Sequence, residues 1–202
     1  MVRLEWVRML AQTQPRLTPE EYLALDRASE FKNEYYDGCM YAMAGASRMD
    51  VLIATNLSGE LRQALKPRSC QVYGTDLRLR GSVGRLYTYP DVSVVCGEPL
   101  FAEDHKDTLV NPTVLVEVLS PSTEAHDRGY KSALYRKIDS LQEYALVWQS
   151  EPHVEIYRRQ PSGDWLLSEA SGIDSTCRFG SLDCVIPLSE IYYQIAFDTP
   201  IE

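Results

Sequence analysis

A chain of 202 residues with 45% hydrophobic content can bury the core of one compact domain. Its formal net charge of −9 argues against coating nucleic acid by bulk attraction, though not against a local basic cleft. No apolar run reaches the ~18 residues of a membrane helix, and Met1–Leu10 is broken by charges and lacks a signal peptide's apolar centre, so the expected setting is cytoplasmic, away from membranes.

Residues 1–16 show no periodicity and read as an irregular arm or a short extra helix, ahead of one domain at 17–197 and a tail at 198–202. Thr18-Pro19-Glu20-Glu21 predicts a helix start, with Thr18 as cap, Pro19 in the first turn and Glu21 completing a capping box, and the helix runs to about Ala28. Phe31–Tyr36 and Cys39–Met43 are aromatic alternating runs around Asp37-Gly38, the signal of a type I′ hairpin. Glu34 interrupts the first run; taken alone, it reads as an exposed cross-strand partner of a basic residue. Beyond the loop and cap at Gly45-Ala46-Ser47, the residues Leu52, Ile53, Leu57, Leu61 and Leu65 recur at helical spacing until Lys66-Pro67 stops them. A sheet region is expected from Gln71 through Arg80, with Asp76 as a bulge or turn carboxylate, and a turn at Gly81–Gly84.

Leu86–Val95 contains Pro90, which cannot donate to a strand ladder and so marks an edge, a bulge or a strand start. Asp91, the next residue, is thereby held at the end of a valine-rich strand. Residues 97–111 are polar and rich in turn formers and read as a mobile surface loop. Val114–Leu119 then forms a β-branched run of strand length that reads as buried on both faces, and Glu117 is its one interruption. An ionised carboxylate there needs a cation, a metal or several donors.

After Pro121, with Ser122 or Thr123 as turn or cap, a helix places Lys131, Leu134, Tyr135 and Ile138 on one face. A lysine is out of place on that apolar stripe, and the returning helix carries it toward Glu117. The pair reads either as an architectural salt bridge or as part of a working site. Further strands are expected at Leu141–Trp148 and His153–Arg158. A turn at Pro161–Asp164 leads into Trp165-Leu166-Leu167, and a last strand at Ser181–Ile186 precedes a helix from Pro187.

Cys39, Cys70, Cys96, Cys177 and Cys184 are odd in number, scattered and without a Cys-x-x-Cys pair; they suggest small core residues in a reducing compartment rather than a disulfide framework or zinc site. His105, His126 and His153 lie far apart and suggest no ligand set. Arg78, Arg80 and Arg85 form one basic cluster and Arg128, Lys131, Arg136 and Lys137 another, each read as a solvated face before a phosphate track.

Asp91 at one strand end, Glu117 within the next strand and Lys131 on the returning helix are two acids and one amine that a fold could converge. Such carboxylates suit Mg²⁺ or Mn²⁺, and Glu34 can add a third oxygen. Pro90-Asp91, then Glu117-Val118-Leu119, with the amine displaced onto Lys131, resembles the PD-(D/E)xK nuclease superfamily, and within it most the Uma family of restriction-endonuclease-like proteins. The residues that carry the resemblance are Leu17–Tyr22, Glu34–Gly38, Met43–Ser47, Tyr73–Arg78, Tyr89–Ser93, Val116–Thr123, Asp127–Gly129 and Lys131, within roughly 17–195.

The resemblance implies an α/β fold (α+β, mixed) with a restriction endonuclease-like core, in which a mixed β-sheet is flanked by helices. It implies Glu34, Asp91 and Glu117 as metal ligands, Lys131 as the migrated catalytic lysine, DNA as substrate and a homodimer as the common assembly. Two positions depart from the family: Asp50-Val51 stands where His-Asn is frequent, and Trp148-Gln149 where an Asp follows the strand. Both concern partner contacts more than the metal set, and Tyr135, a helical turn from Lys131, reads as core ahead of the alternative, a hydrogen bond near the phosphate. A binding module without turnover on the same fold is the competing expectation. A metal-independent hydrolase with paired carboxylates as acid and base ranks below both, because no sugar-stacking aromatic motif stands out.

Overall fold

Local chemistry sets the first elements. Thr18 accepts the backbone N–H of Glu21 while the Glu21 carboxylate accepts that of Thr18, and this capping box opens α1 (Pro19–Ala28). Asp37 and Gly38, at φ 46° and 95°, turn β1 (Asn33–Tyr36) into β2 (Cys39–Ala42), since a type I′ turn needs two successive residues of positive φ. A second capping box, Ser47 with Asp50, opens α2 (Arg48–Leu65), which buries Ile53, Leu57, Leu61 and Leu65 along one stripe. The computed structural model describes residues 16–43, 45–81, 84–102, 106–120 and 123–197. The expected arm before Arg16, the tail at 198–202, His105, Pro121 and Ser122 lie outside the described residues.

The strands that follow are β3 (Cys70–Gly74), β4 (Arg78–Arg80), β5 (Leu86–Thr88), β6 (Val92–Cys96), β7 (Thr108–Leu109) and β8 (Val114–Leu119). A helical return comprises α3 (Glu124–His126), a π turn (Asp127–Lys131) and α4 (Ser132–Tyr135). The chain continues through β9 (Glu143–Trp148), β10 (His153–Arg159), β11 (Trp165–Ser171), β12 (Thr176–Phe179), β13 (Cys184–Pro187) and α5 (Leu188–Ile191). The larger sheet has the order β11-β10-β9-β8-β6-β3, parallel at β8–β9 and otherwise antiparallel. A smaller one runs β2-β1-β5-β4-β7, parallel at β4–β7, and β12 and β13 form a separate antiparallel pair. The fold is thus a mixed α+β architecture, with mixed sheets flanked by helices.

Two cores lie on the two faces of the larger sheet. Val92, Val94, Val114 and Val116 pack under α2 and α5, while Leu115, Leu119, Tyr144 and Leu146 pack with Tyr135 and Leu79 on the other face. Residues two apart on a strand share a face, so Glu117 projects into the second core between Leu115 and Leu119.

Several expectations need correction. The region from Gln71 to Arg80 is not one sheet segment: β3 belongs to the larger sheet and β4 to the smaller, with a turn between them. Pro90 does mark a strand start, because the chain crosses there from β5 in one sheet to β6 in the other. The polar run 97–111 contributes the buried strand β7, whose Leu109 enters the second core; polar neighbours had hidden it. Arg78 is no solvated residue but is 5% exposed. Ile138 is buried, yet it lies beyond the end of α4. The last strand begins at Cys184 rather than Ser181, and it pairs with β12, which had not been anticipated.

The cysteine reading also fails in part. Cys70 and Cys96, 26 residues apart, are register partners on adjacent strands and form a disulfide. Of the others, Cys177 and Cys184 are buried as expected, whereas Cys39 is exposed.

Candidate active site at the seam between the sheets

Glu34 comes from β1 in the smaller sheet, Glu117 from β8 in the larger, and Asp91 from the crossing between them. Lys131 arrives on the π turn. Its ammonium lies 3.0 Å from Glu34 Oε1, 3.0 Å from Glu117 Oε1 and 3.4 Å from Asp127 Oδ1. Lys131, Glu117 and Asp127 are all buried, and Glu34 is largely covered rather than exposed as its cross-strand reading had it. Asp91 Oδ2 accepts the backbone N–H of Val118 at 2.7 Å, which seats it beside the strand that carries Glu117.

The π turn explains how the lysine reaches this place. One extra residue in a helical turn shifts the face that follows it and leaves carbonyls for other partners. The Ser132 N–H reaches back five residues to the Asp127 carbonyl, and Tyr144 Oη donates to that same oxygen at 3.2 Å. The acids are supported in turn. Tyr36 Oη donates to Glu34 Oε2 at 2.6 Å, and Tyr135 Oη to Glu117 Oε1 at 2.7 Å, with Thr88 Oγ1 2.8 Å from the same phenol. Tyr135 is therefore both a core residue and a contact of the site.

The charge balance is one-sided, since three carboxyl groups lie within 3.4 Å of one ammonium and Asp91 is close enough to feel it. Burial pushes the Glu117 carboxyl well above its ordinary range; Lys131 opposes that, and Asp127, Asp91 and Glu34 reinforce it. Burial likewise raises Asp91 to about 6, against the pull of the Val118 N–H and Lys131 and with the push of Asp127 and Asp50. For Lys131, burial disfavours the charge, but Glu117 and its neighbours outweigh that and keep the amine protonated. Among the described residues, the buried side-chain oxygens without a hydrogen bond are Glu34 Oε1 and Asp50 Oδ1. Glu34 Oε1 has Lys131 at 3.0 Å, so charge holds it rather than an aligned hydrogen bond. Surplus negative charge on oxygen donors is what a hard divalent cation relieves, so the chemistry of this donor set suits Mg²⁺ or Mn²⁺, with the Lys131 ammonium standing between Glu34 and Glu117.

The sequence reading placed Glu34, Asp91, Glu117 and Lys131 here, and the fold brings them to one seam. It missed Asp127 as a member of the pocket, although the four-residue spacing to Lys131 puts both on one helix face. It also missed that the two departures from the family sit near each other: Ser47, capped by Asp50, donates to Gln149 Oε1 at 3.1 Å. Among the described residues, the grouping of acids and histidine whose metal-ligating atoms all lie within 4.8 Å of one another is His153, Glu155 and Glu169, where adjacent strands bring scattered residues together; the oxygens of Glu34, Asp91 and Glu117 do not converge that closely. Arg128 already holds Glu155 there at 2.8 Å, and Ser171 lies 2.6 Å from the His153 ring. That guanidinium is a built-in competitor for any ion.

The family model described as putative restriction endonuclease, Uma2, matches residues 19–178. The chain belongs to the Uma2 family. A nuclease-like function is the coarse reading that this membership supports. Two Synechocystis proteins are similar along nearly their whole length. The uncharacterised protein slr1290 is 37% identical over 185 residues, covering 91% of this chain and 95% of its own. The uncharacterised protein sll1609 is 34% identical over 171 residues, covering 85% and 97%. A crystal structure from Anabaena variabilis, described as a putative nuclease belonging to DUF820, aligns with a TM-score of 0.74 at 19% identity, over 89% of this chain and 99% of that one. At that identity the likeness speaks for the Uma2 fold alone.

Proposed function

We propose that this chain is a metal-dependent endonuclease that hydrolyses DNA phosphodiester bonds. The observation that carries the proposal is the buried Lys131 ammonium, 3.0 Å from both Glu34 and Glu117, in a pocket where acids outnumber cations. Glu34, Asp91 and Glu117 are the residues that would hold Mg²⁺ or Mn²⁺. Such an ion supplies Lewis acidity toward a phosphoryl oxygen and lowers the pKa of water beside it. Lys131, kept protonated, donates through Nζ to the attacking water or to the charge growing on the phosphate. Tyr36 and Tyr135 fix the two glutamates through one hydrogen bond each, and the apolar core behind Glu117 keeps bulk water from that side. Two cavities reach the acidic set: one of about 700 Å³ with Asp91 in its wall, one of about 540 Å³ with Glu34 in its wall.

The same reading takes 17–197 as one nuclease-like unit, with DNA as its substrate and a homodimer as its working form. A chain of net charge −9 gains from a second copy when it must build a cleft that tolerates phosphates. It also takes the cytoplasm as compartment, in keeping with the absence, among the described residues, of a helix long and apolar enough to cross a membrane. The Cys70–Cys96 bond pulls against a strongly reducing address, and counting thiols on protein taken directly from cells decides that point.

Supercoiled plasmid incubated with the protein and Mg²⁺ or Mn²⁺ should be nicked or linearised. Chelation should stop this, and Glu117→Ala should slow it at least ~100-fold; undiminished cutting by that variant would refute the proposal. One observation favours a catalytically silent nucleic-acid or protein-binding module instead. Lys131 already draws Glu34 and Glu117 to itself and must yield part of that contact to an ion. DNA binding that ignores chelators and leads to no product would select this second reading.

A further inference from the structure

The hairpin that supplies Glu34 also builds an aromatic wall beside it. Glu34 and Tyr41 are directly opposed across β1 and β2, as are Tyr36 and Cys39. Strand alternation therefore places Glu34, Tyr36, Cys39 and Tyr41 on one face. Facing them are His126 and Tyr130, four residues apart on the helical return and so on one side of it, next to Lys131. The rings meet edge to face: Tyr36 lies 5.7 Å from Tyr41, 5.1 Å from His126 and 5.5 Å from Tyr130.

Tyr36 is the buried anchor of this group, whereas Tyr41 and Tyr130 keep 53% and 43% of their surface exposed. Both line the cavity of about 540 Å³, which has Glu34 and Arg16 in its wall as well. That volume falls in the ~300–1,000 Å³ range of small-ligand clefts. Hydrophobic burial alone does not explain two half-open tyrosines in a concave site adjoining buried carboxylates.

We infer that this aromatic cavity is a stacking site for one unpaired nucleobase of DNA, flanking the phosphate that the Glu34–Glu117–Lys131 pocket would engage. The inference rests on the nuclease reading and narrows its substrate to DNA with an unstacked base. Base faces are hidden within an intact duplex, so a pocket that grips a base between rings selects a single strand or a nucleotide turned out of the helix. Tyr36 joins the two sites, since its ring belongs to the cavity wall and its hydroxyl holds Glu34.

The test measures binding to fluorescently labelled oligonucleotides by anisotropy, with the full chain in EDTA so that no product forms. The probes are a single-stranded 12-mer, the same strand with abasic sites, a matched duplex, and a duplex with one unpaired base. The wild type should prefer the single strand to its abasic counterpart. Tyr41→Ala and Tyr130→Ala should each weaken single-strand binding roughly 5- to 150-fold, the size of one lost stacking contact, and leave abasic binding unchanged. Tyr130→Phe, which keeps the ring and loses the hydroxyl that donates to Asp37, should bind like the wild type. If Tyr130→Ala does not fold, Tyr41→Ala on the hairpin carries the test. Binding of the unpaired-base duplex alongside the single strand would identify base extrusion; binding of the single strand alone would identify single-stranded substrate. Equal affinity for base-bearing and abasic strands, no single-strand binding, or tyrosine variants that bind like the wild type would overturn the inference. Tyrosine-dependent binding with no metal-dependent cleavage of either plasmid or a single-stranded circle would remove the nuclease reading and leave the base site standing; cleavage with tyrosine-independent binding would do the reverse.

Discussion

Two buried ionic clusters in this molecule use the same kinds of side chain and end in opposite states. Around Arg78, every acid finds its cation: Nη2 donates to Asp26 at 2.7 Å, Nε to Asp26 and the Tyr89 hydroxyl, and Nη1 to Asp107 and Thr108. Arg27 adds a second cation on Asp107 at 2.9 Å. Burial by itself would raise Asp26, but hydrogen bonds from Tyr89, Arg78 and Asn33 outweigh it and hold the carboxyl below its usual value. Asp107 likewise resists burial through Arg27, Thr108 and Arg78 and stays low. Around Lys131 the acids are left in surplus, and Glu117 and Asp91 are held high. A cluster that satisfies itself joins elements of a fold, whereas one that keeps surplus charge is ready for a ligand of opposite sign.

The sharpest break in this comparison comes from removing each cation. Arg78→Met and Lys131→Met should each cost about 3–5 kcal/mol in urea denaturation at pH 7, because each strands buried carboxylates. Millimolar Mg²⁺ should return part of the loss to Lys131→Met and none to Arg78→Met. Equal responses to the ion would erase the distinction.

Acidity separates the clusters next. The depressed carboxyls of Asp26 and Asp107 contribute stability above their unfolded pKa and lose it as pH falls through their folded values. Asp91 works in the other sense. Its folded pKa, about 6 against an ordinary 3.8, means that the folded chain binds the proton more tightly, so stability declines as pH rises through that interval. Asp91→Asn should remove this decline and gain at most about 3 kcal/mol at pH 7, with little change at pH 4, in chelator-treated protein. A variant with the wild-type pH profile would contradict the assignment.

The smallest effect contrasts two phenols. Tyr89→Phe and Tyr135→Phe each delete a buried hydroxyl that donates to an acid, at Asp26 and Glu117 respectively, and each should cost about 1 kcal/mol. Only Tyr135→Phe should also slow plasmid cleavage, because only that hydroxyl steadies a residue of the acidic pocket.

Short-range features proved the most legible. Both capping boxes, the Asp37-Gly38 turn and the α2 stripe depend on residues a few positions apart, and their physics is complete within that span. Glu117 and Lys131 were noticeable because each violates the pattern of its own element, an acid in a β-branched strand and an amine on an apolar face. Asp127 violated nothing conspicuous and was overlooked. Arg78 looked like a surface charge because its partners Asp26 and Asp107 lie 52 and 29 residues away. The Cys70–Cys96 pair was missed for the same reason, since its neighbours in space are register partners and not neighbours in sequence.

By itself, then, the sequence determined the local elements, the mixed α/β character and the odd residues worth watching, because periodicity, turn chemistry and capping act over a turn of helix or a few residues of strand. Tertiary structure alone decided how the strands divide into three sheets, which charges are neutralised, and that acids from the two larger sheets meet one lysine at their seam. Charge balance and desolvation are sums over everything packed around a group, and those neighbours come from distant parts of the chain.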